Sequence, residues 1–193
     1  MSLRHDILAY QPFNEQEVVD RQVILQQLAC NPHVLNRTSP AHLTCSLWTI
    51  DTTHSRTLMV YHNLYHSWSW IGGHADGQQD LASVALRELA EETGVEDVRL
   101  VSCGPGDLYS LEVLAVHGHV KQGSYVSSHL HLNVTYLGVA SPDAPLRIKP
   151  DENSSVKWVD LDEVCKISSE PWMAEHIYRK LIDKLGSINL PFE

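Results

Sequence analysis

"GGHADGQQDLASVALRELAEETGV", residues 72–95, decides how the rest of the chain is read. A glycine pair and a polar turn lead into a run with helical spacing. Asp80 is placed to cap a helix over 80–93, and Gly94 supplies the left-handed residue that ends it. At about 100° per residue, Ala82, Ala85, Leu86, Leu89 and Ala90 form one apolar face. Glu88, Glu91 and Glu92 fall at i, i+3 and i+4 on another. Three carboxylates that close repel one another unless something positive sits among them. Taken alone, the set reads as a solvated acidic face with Arg87 paired to Glu91. Converging on Mg²⁺ or Mn²⁺, hard cations that prefer oxygen, it reads as a metal site.

Working outward, the polar turn opens after two β-like runs, "HLTCSLWTI" (42–50) and "RTLMVYH" (56–62). Residues 1–38 look helical. Asn14 is an N-cap, and Val18, Val19, Val23, Ile24, Leu25 and Leu28 make a stripe that Asn31-Pro32 stops. Beyond Gly94, strands are expected over 98–102, 108–119 and 125–139, with a Pro-rich loop at 140–152. "SVKWVDLDEV" reads as a strand running into a short helix, and a C-terminal helix spans 171–186 from Pro171. The expected fold class is α/β, of the α+β kind: an α/β/α sandwich on a mixed sheet with helical additions at both ends.

At 193 residues the length suits a single unit, 1–193, with a core over 42–165. A net charge of −10 and the lack of any basic run argue against a nucleic-acid face, which needs clustered Lys and Arg. No apolar run is long enough for a membrane span, and Arg4, His5 and Asp6 interrupt any signal-like start. The four cysteines form no CxxC pair and are expected reduced and mostly buried, which suits a cytoplasmic location.

Counted from Gly73, the segment resembles the Nudix box: Gly, five residues, Glu, seven residues, Arg-Glu-aliphatic, one residue, Glu-Glu, one residue, Gly-aliphatic. Gly73, Arg87, Glu88, Leu89, Glu91, Glu92, Gly94 and Val95 all fall in register, and eight spaced positions in 23 are highly specific. The helical N-terminus and "HLHLNVTY" look like those of a bacterial Nudix subgroup of unsettled substrate. Two positions depart. The first box glutamate, which in the family helps orient the arginine, is Gln79, an acceptor without charge; Ile71 replaces the usual proline.

The resemblance implies a hydrolase that cleaves a nucleoside diphosphate linked to another group, or a related diphosphate, by water attack on phosphorus. It makes Glu88, Glu91 and Glu92 ligands of Mg²⁺ or Mn²⁺, with the Gly72 carbonyl a fourth. Arg87 then holds Glu88, and Glu152, or else Glu88 itself, is the candidate base. The implied partner is a small diphosphate or nucleotide, with neither nucleic acid nor membrane, and a homodimer stays open. Two alternatives accompany this reading. One is a Nudix-fold binding or regulatory module with little turnover, motivated by Gln79. The other, ranked last, is an isopentenyl-diphosphate-type isomerase, which would need a catalytic cysteine.

Histidines add a second layer. In "HLHLNVTY", His129, His131, Asn133 and Thr135 share one strand face, and His129, His131 and Asn133 are assigned to the substrate cleft on the carboxylates' side of the sheet. A hairpin about Ser124 would set His117 opposite His131 and His119 opposite His129. A four-histidine transition-metal site there is set aside, because the carboxylates already meet the need for a metal. His74 and Asp76 either touch substrate or shape the glycine turn. Trp48, Trp68, Trp70 and Tyr136 either stack a base or fill the core.

Overall fold

The computed structural model describes residues 2–121 and 123–188; Met1, Gln122 and residues 189–193 of the expected unit lie outside the described residues. Helices α1 (Leu3–Ala9) and α2 (Glu15–Cys30) open the chain, the second capped by the Asn14 carboxamide oxygen, which accepts from the Glu17 amide at 3.0 Å. The expected stripe on α2 is only partly right. Ile24 is fully buried, but Val18 and Val19 are exposed and Glu17 is buried in their stead. Two lysines far along the chain, Lys180 and Lys184, reach Glu17 and rotate the helix toward its acid.

Strands follow in chain order: β1 (Ala41–Asp51), β2 (Arg56–His62), β3 (Ser67–Ser69) and β4 (Ile71–His74), then helix α3 (Leu81–Thr93). After α3 come β5 (Val98–Leu100), β6 (Leu108–Val116), β7 (His119–Lys121), β8 (Ser124–Val126), β9 (His129–Ala140) and β10 (Asn153–Asp160). The mixed sheet runs β10-β2-β1-β9-β5, with β3 on β2, β4 on β1 and β6 on β9. Its centre is the parallel pair β1–β9, which runs from Ala41↔Leu130 to Asp51↔Ala140. β4 is short and pairs with β1 from Thr44↔His74 to Leu47↔Ile71.

Strand alternation sorts the two faces. Leu43, Cys45 and Leu47 of β1 and Leu132, Val134 and Tyr136 of β9 share a core with Leu81, Val84, Ala85 and Leu89 of α3. Trp48, Ile50 and Leu137 point the other way and pack under a C-terminal helical segment, α4 (Val164–Ile167), a π-helical stretch (Met173–Tyr178) and α5 (Arg179–Leu185). Trp48 and Tyr136 therefore belong to the core, while Trp68 and Trp70 are partly buried. Helix, sheet, helix is the expected sandwich. A buried ion network ties its ends together: Glu17 meets Lys184 at 2.9 Å and Lys180 at 3.4 Å, and Lys180 meets Glu112 of β6 at 2.9 Å.

The hairpin about Ser124 does not form. β6 pairs with β9 as Leu114↔His131 and Val116↔His129, and β7 and β8 make a separate two-stranded ribbon, His119↔Val126 to Lys121↔Ser124. The chain reverses earlier because Gly123 takes a left-handed φ of 80°, which costs a glycine nothing. His117 and His119 are consequently carried beyond the end of the main sheet.

Candidate active site

Helix α3 starts where the Asp80 side chain accepts from the Ser83 amide, and it ends at Gly94 with φ 80°. Within it the apolar face is turned relative to the sequence expectation, with Leu81, Val84, Ala85 and Leu89 buried and Ala82 and Leu86 at its margin. Glu92 continues that buried stripe and is 3% exposed. The three box glutamates thus do not share one face. Glu92 points in, Glu91 points out, and Glu88 lies between them.

Glu88, Glu92 and Glu152 bring carboxylate oxygens within 4.8 Å of one another. Glu152 comes from the loop before β10, where its backbone carbonyl accepts from the Asn63 amide at 2.9 Å. Burial pushes the Glu92 carboxyl well above the ordinary range; the neighbouring Glu152 and Glu88 raise it further, against Lys149 and the Gly72 amide. Burial also raises Glu88, with Arg87 opposing and Glu91 adding to the rise. Such a cluster is held together at a cost that a cation would offset.

The glycine pair makes room for it. A Cβ on Gly73 would stand 2.5 Å from the Glu88 Cδ, so only glycine lets that side chain cross the strand. The Gly72 amide hydrogen-bonds Glu92 from the edge of β4 away from β1. In a strand the carbonyl of a residue faces the same edge as its amide, which puts the Gly72 carbonyl on the carboxylates' side.

Arg87 donates to the Glu88 carboxylate at 3.3 Å and approaches Glu91 at 3.7 Å. Its remaining partner is Gln78, whose carboxamide oxygen accepts at 3.1 Å. Gln79, expected to support the arginine, is exposed and makes no hydrogen bond to it among the described residues; the residue before it supplies the acceptor. Glu91 stands outside the carboxylate trio. Its carboxylate accepts from Lys149 at 2.9 Å, and Lys149 also meets Glu152 at 3.2 Å. Those two contacts hold Lys149 protonated far above its usual range in spite of burial.

A cavity of about 330 Å³ opens across Gly72 and Gly73, walled by His62, Tyr65, Trp70, His74, His131 and Asn133. It lies on the C-terminal-helix face of the sheet. The histidines are therefore on the opposite face from α3, contrary to expectation, because His129, His131 and Asn133 alternate against the α3-facing Leu132 and Val134. Carboxylates and histidines border the same glycine edge from its two sides. Asn133 lines the cavity with its hydrogen-bonding capacity already used. It accepts from Thr44 at 3.0 Å and Ser46 at 3.1 Å, and donates to Glu112 at 2.9 Å and Thr135 at 3.1 Å. Asp76, at φ 45° in the turn, is gripped through both carboxylate oxygens by Arg37 and shapes that turn.

Sequence reasoning missed Gln78, Lys149, Arg37 and His42. His42, the second residue of β1, is 1% exposed; its ring stacks on those of His74 and His129 and is tilted against that of His131, with ring centres 5.0–5.3 Å apart. The only sequence signal was the polar alternation His42, Thr44, Ser46, which equally suits a solvent face. Cys45, the cysteine nearest the trio, is buried with its thiol pushed up to about 12, and it donates toward the Gly73 carbonyl.

The Nudix domain family matches residues 42–185, well over half of the chain. The asymmetrical bis(5'-nucleosyl)-tetraphosphatase of Rattus norvegicus is 28% identical over 120 residues, 61% of this chain and 72% of the relative. Among solved structures, a binary complex of the C. elegans Ap4A hydrolase aligns at a TM-score of 0.53 and 19% identity, over 75% of this chain and 95% of that one. The Nudix domain of Shewanella oneidensis NrtR, complexed with ADP ribose, aligns at 0.52 and 19%, over 84% and 96%. These structural likenesses concern the fold alone, and they agree with the box and the family match: the chain belongs to the Nudix hydrolase family.

Proposed function

We propose that the chain hydrolyses a diphosphate linkage in a nucleoside diphosphate joined to a further group, by water attack on phosphorus, with Mg²⁺ or Mn²⁺ held by Glu88, Glu92 and Glu152. The observation that carries this is the convergence of three carboxylates, one almost wholly buried, at an open strand edge. A divalent ion bound there supplies charge neutralisation for the phosphate oxygens and an acidified water. Glu91 enters as an outer residue, held by Lys149. Arg87 fixes Glu88 in place. We take Glu88 as the base, since burial raises its carboxyl toward the range a general base needs.

The group beyond the diphosphate would occupy the cavity, whose volume lies in the range of small-molecule sites and whose walls include Tyr65 and Trp70. The rat relative's name makes a dinucleoside tetraphosphate the first substrate to test. The NrtR title makes ADP-ribose the second. A product screen over dinucleoside polyphosphates, ADP-ribose and nucleotide sugars, with Mg²⁺ or Mn²⁺, should find hydrolysis that EDTA stops. Tight binding of one of these compounds without turnover at saturating metal would instead favour the binding module. Gln78 gives Arg87 the acceptor that Gln79 does not, which weighs against that module.

A further inference from the structure

The diphosphate site leaves unused the group of imidazoles across the sheet. His42 on β1, His74 on β4 and His131 on β9 each offer a ring nitrogen, and these atoms lie within 4.8 Å of one another. No two of the three are close in sequence; parallel pairing of β1 with β9 sets His42 directly beside His131. The tautomers can be followed ring by ring. His42 Nδ1 lies 2.7 Å from the Ser39 carbonyl, which can only accept, so that nitrogen carries the proton. His42 Nε2 is left as a bare lone pair, buried with no hydrogen-bond partner among the described residues. A buried polar atom with no partner costs about 1–3 kcal/mol, and native structures rarely leave one without a reason.

His129 is oriented by a backbone carbonyl in the same way, but its second ring nitrogen is already partnered. Its Nδ1 faces the Ser127 carbonyl at 2.8 Å and its Nε2 approaches His131 Nε2 at 3.1 Å. A backbone carbonyl holding one ring nitrogen so that the other is free is how metal-binding histidines are oriented.

We propose that His42, His74 and His131 form a binding site for a transition dication of the Zn²⁺ class, separate from the carboxylate site, with an open position on the cavity. Imidazole nitrogen suits Zn²⁺, Ni²⁺ or Cu²⁺ far better than it suits Mg²⁺. Tetrahedral ligands at about 2.0–2.1 Å from Zn²⁺ stand about 3.3 Å apart, so the rings close by about 1.5 Å at most, within reach of small side-chain rotations. His74 and His131 line the cavity and His42 lies behind them, so the fourth position faces the space that holds the substrate's far end. His129 stands next to His131, with their Nε2 atoms 3.1 Å apart.

The test uses the full chain stripped of metal and titrated with Zn²⁺, and with Co²⁺ as a coloured substitute, in excess Mg²⁺ to occupy the carboxylates. One equivalent should bind, and Co²⁺ should give the intense visible bands of a four-coordinate nitrogen site. His42→Asn keeps a donor for the Ser39 carbonyl but has no Nε2, and it should weaken Zn²⁺ at least about 100-fold, beyond the 10–100-fold that loss of an outer-shell partner costs. His74→Ala should do the same. Glu88→Gln should leave the Co²⁺ spectrum intact. Circular dichroism identifies any variant that fails to fold, and the spectrum of the wild-type chain decides the matter without it. Weak six-coordinate Co²⁺ bands, or unchanged Zn²⁺ affinity in folded His42→Asn and His74→Ala, would overturn the site and assign any binding to surface histidines.

Discussion

Replacing Glu92 with glutamine should make the metal-free protein more stable and the enzyme much slower. The side chain keeps its size and its contact with the Gly72 amide but loses its charge. At 4.8 Å, two like charges in an effective dielectric near 20 repel by about 3–4 kcal/mol, and Glu92 faces two, Glu88 and Glu152. Lys149, partial protonation and solvent around Glu152 remove much of this, leaving a gain on the order of 1–2 kcal/mol. Metal reverses the order. A ligand at 100 times its Kd stabilises by about 2.7 kcal/mol, and the wild type should gain this while the variant gains little. Turnover should fall about 10²-fold or more, in line with the loss of a preorganised charge contact. The sign with pH follows from the raised carboxyl. Below its unfolded value both states are protonated and the stabilisation is fully present; it is lost as pH rises through the higher folded value. Thermal melts in EDTA should therefore show stability falling above about pH 5, a slope that Glu92→Gln flattens. The assay is a set of melts with and without Mg²⁺, beside steady-state kinetics. A variant that melts lower in EDTA, gains as much from Mg²⁺ as the wild type, or turns over at full rate would refute the reasoning.

Three other outcomes are expected. Gln78→Leu should lower kcat by releasing Arg87, whereas Gln79→Glu should leave kcat equal or raise it; a large loss from Gln79→Glu alone would move the support back to position 79. Gly73→Ala should fold with a displaced Glu88 and lose most of its activity, because the new Cβ would sit 2.5 Å from the Glu88 Cδ; normal kinetics would show that Glu88 is free to move. Glu17→Gln leaves Lys180 and Lys184 short of one buried acid, and urea unfolding should show a loss of about 3–5 kcal/mol. A loss below about 1 kcal/mol would mean that water or Glu112 already compensates them.

Much of the site was legible because it is local. Asp80, Gly94 and the spacing of Arg87 to Glu92 sit in one helix, where capping and a 3.6-residue period act over a few residues. What escaped depends on contacts between distant segments. Glu17 reads as an ordinary surface acid until Lys180 and Lys184 arrive more than 160 residues later. His42 reads as the polar start of a strand until β9 is laid beside it. The direction of Glu92 escaped for another reason: turning a helix by one residue exchanges a ligand that points inward for one that points out, and composition cannot fix that angle. The histidine hairpin was misjudged because register follows the turn, and the turn follows Gly123.

The parallel pair at the centre of the sheet also sets the order in which the chain can fold. β1 has to wait for β9, since Ala41 pairs with Leu130. At about 5–20 residues per second on a ribosome, that wait is on the order of ten seconds. Throughout it, β1 can borrow only β2 and β4 as strand neighbours, and its Trp48 and Ile50, which pack under the C-terminal helical segment, have no cover. Nascent chains stalled before residue 129 should therefore be protease-sensitive at β1 and bind holdase chaperones, and those released after residue 140 should become resistant.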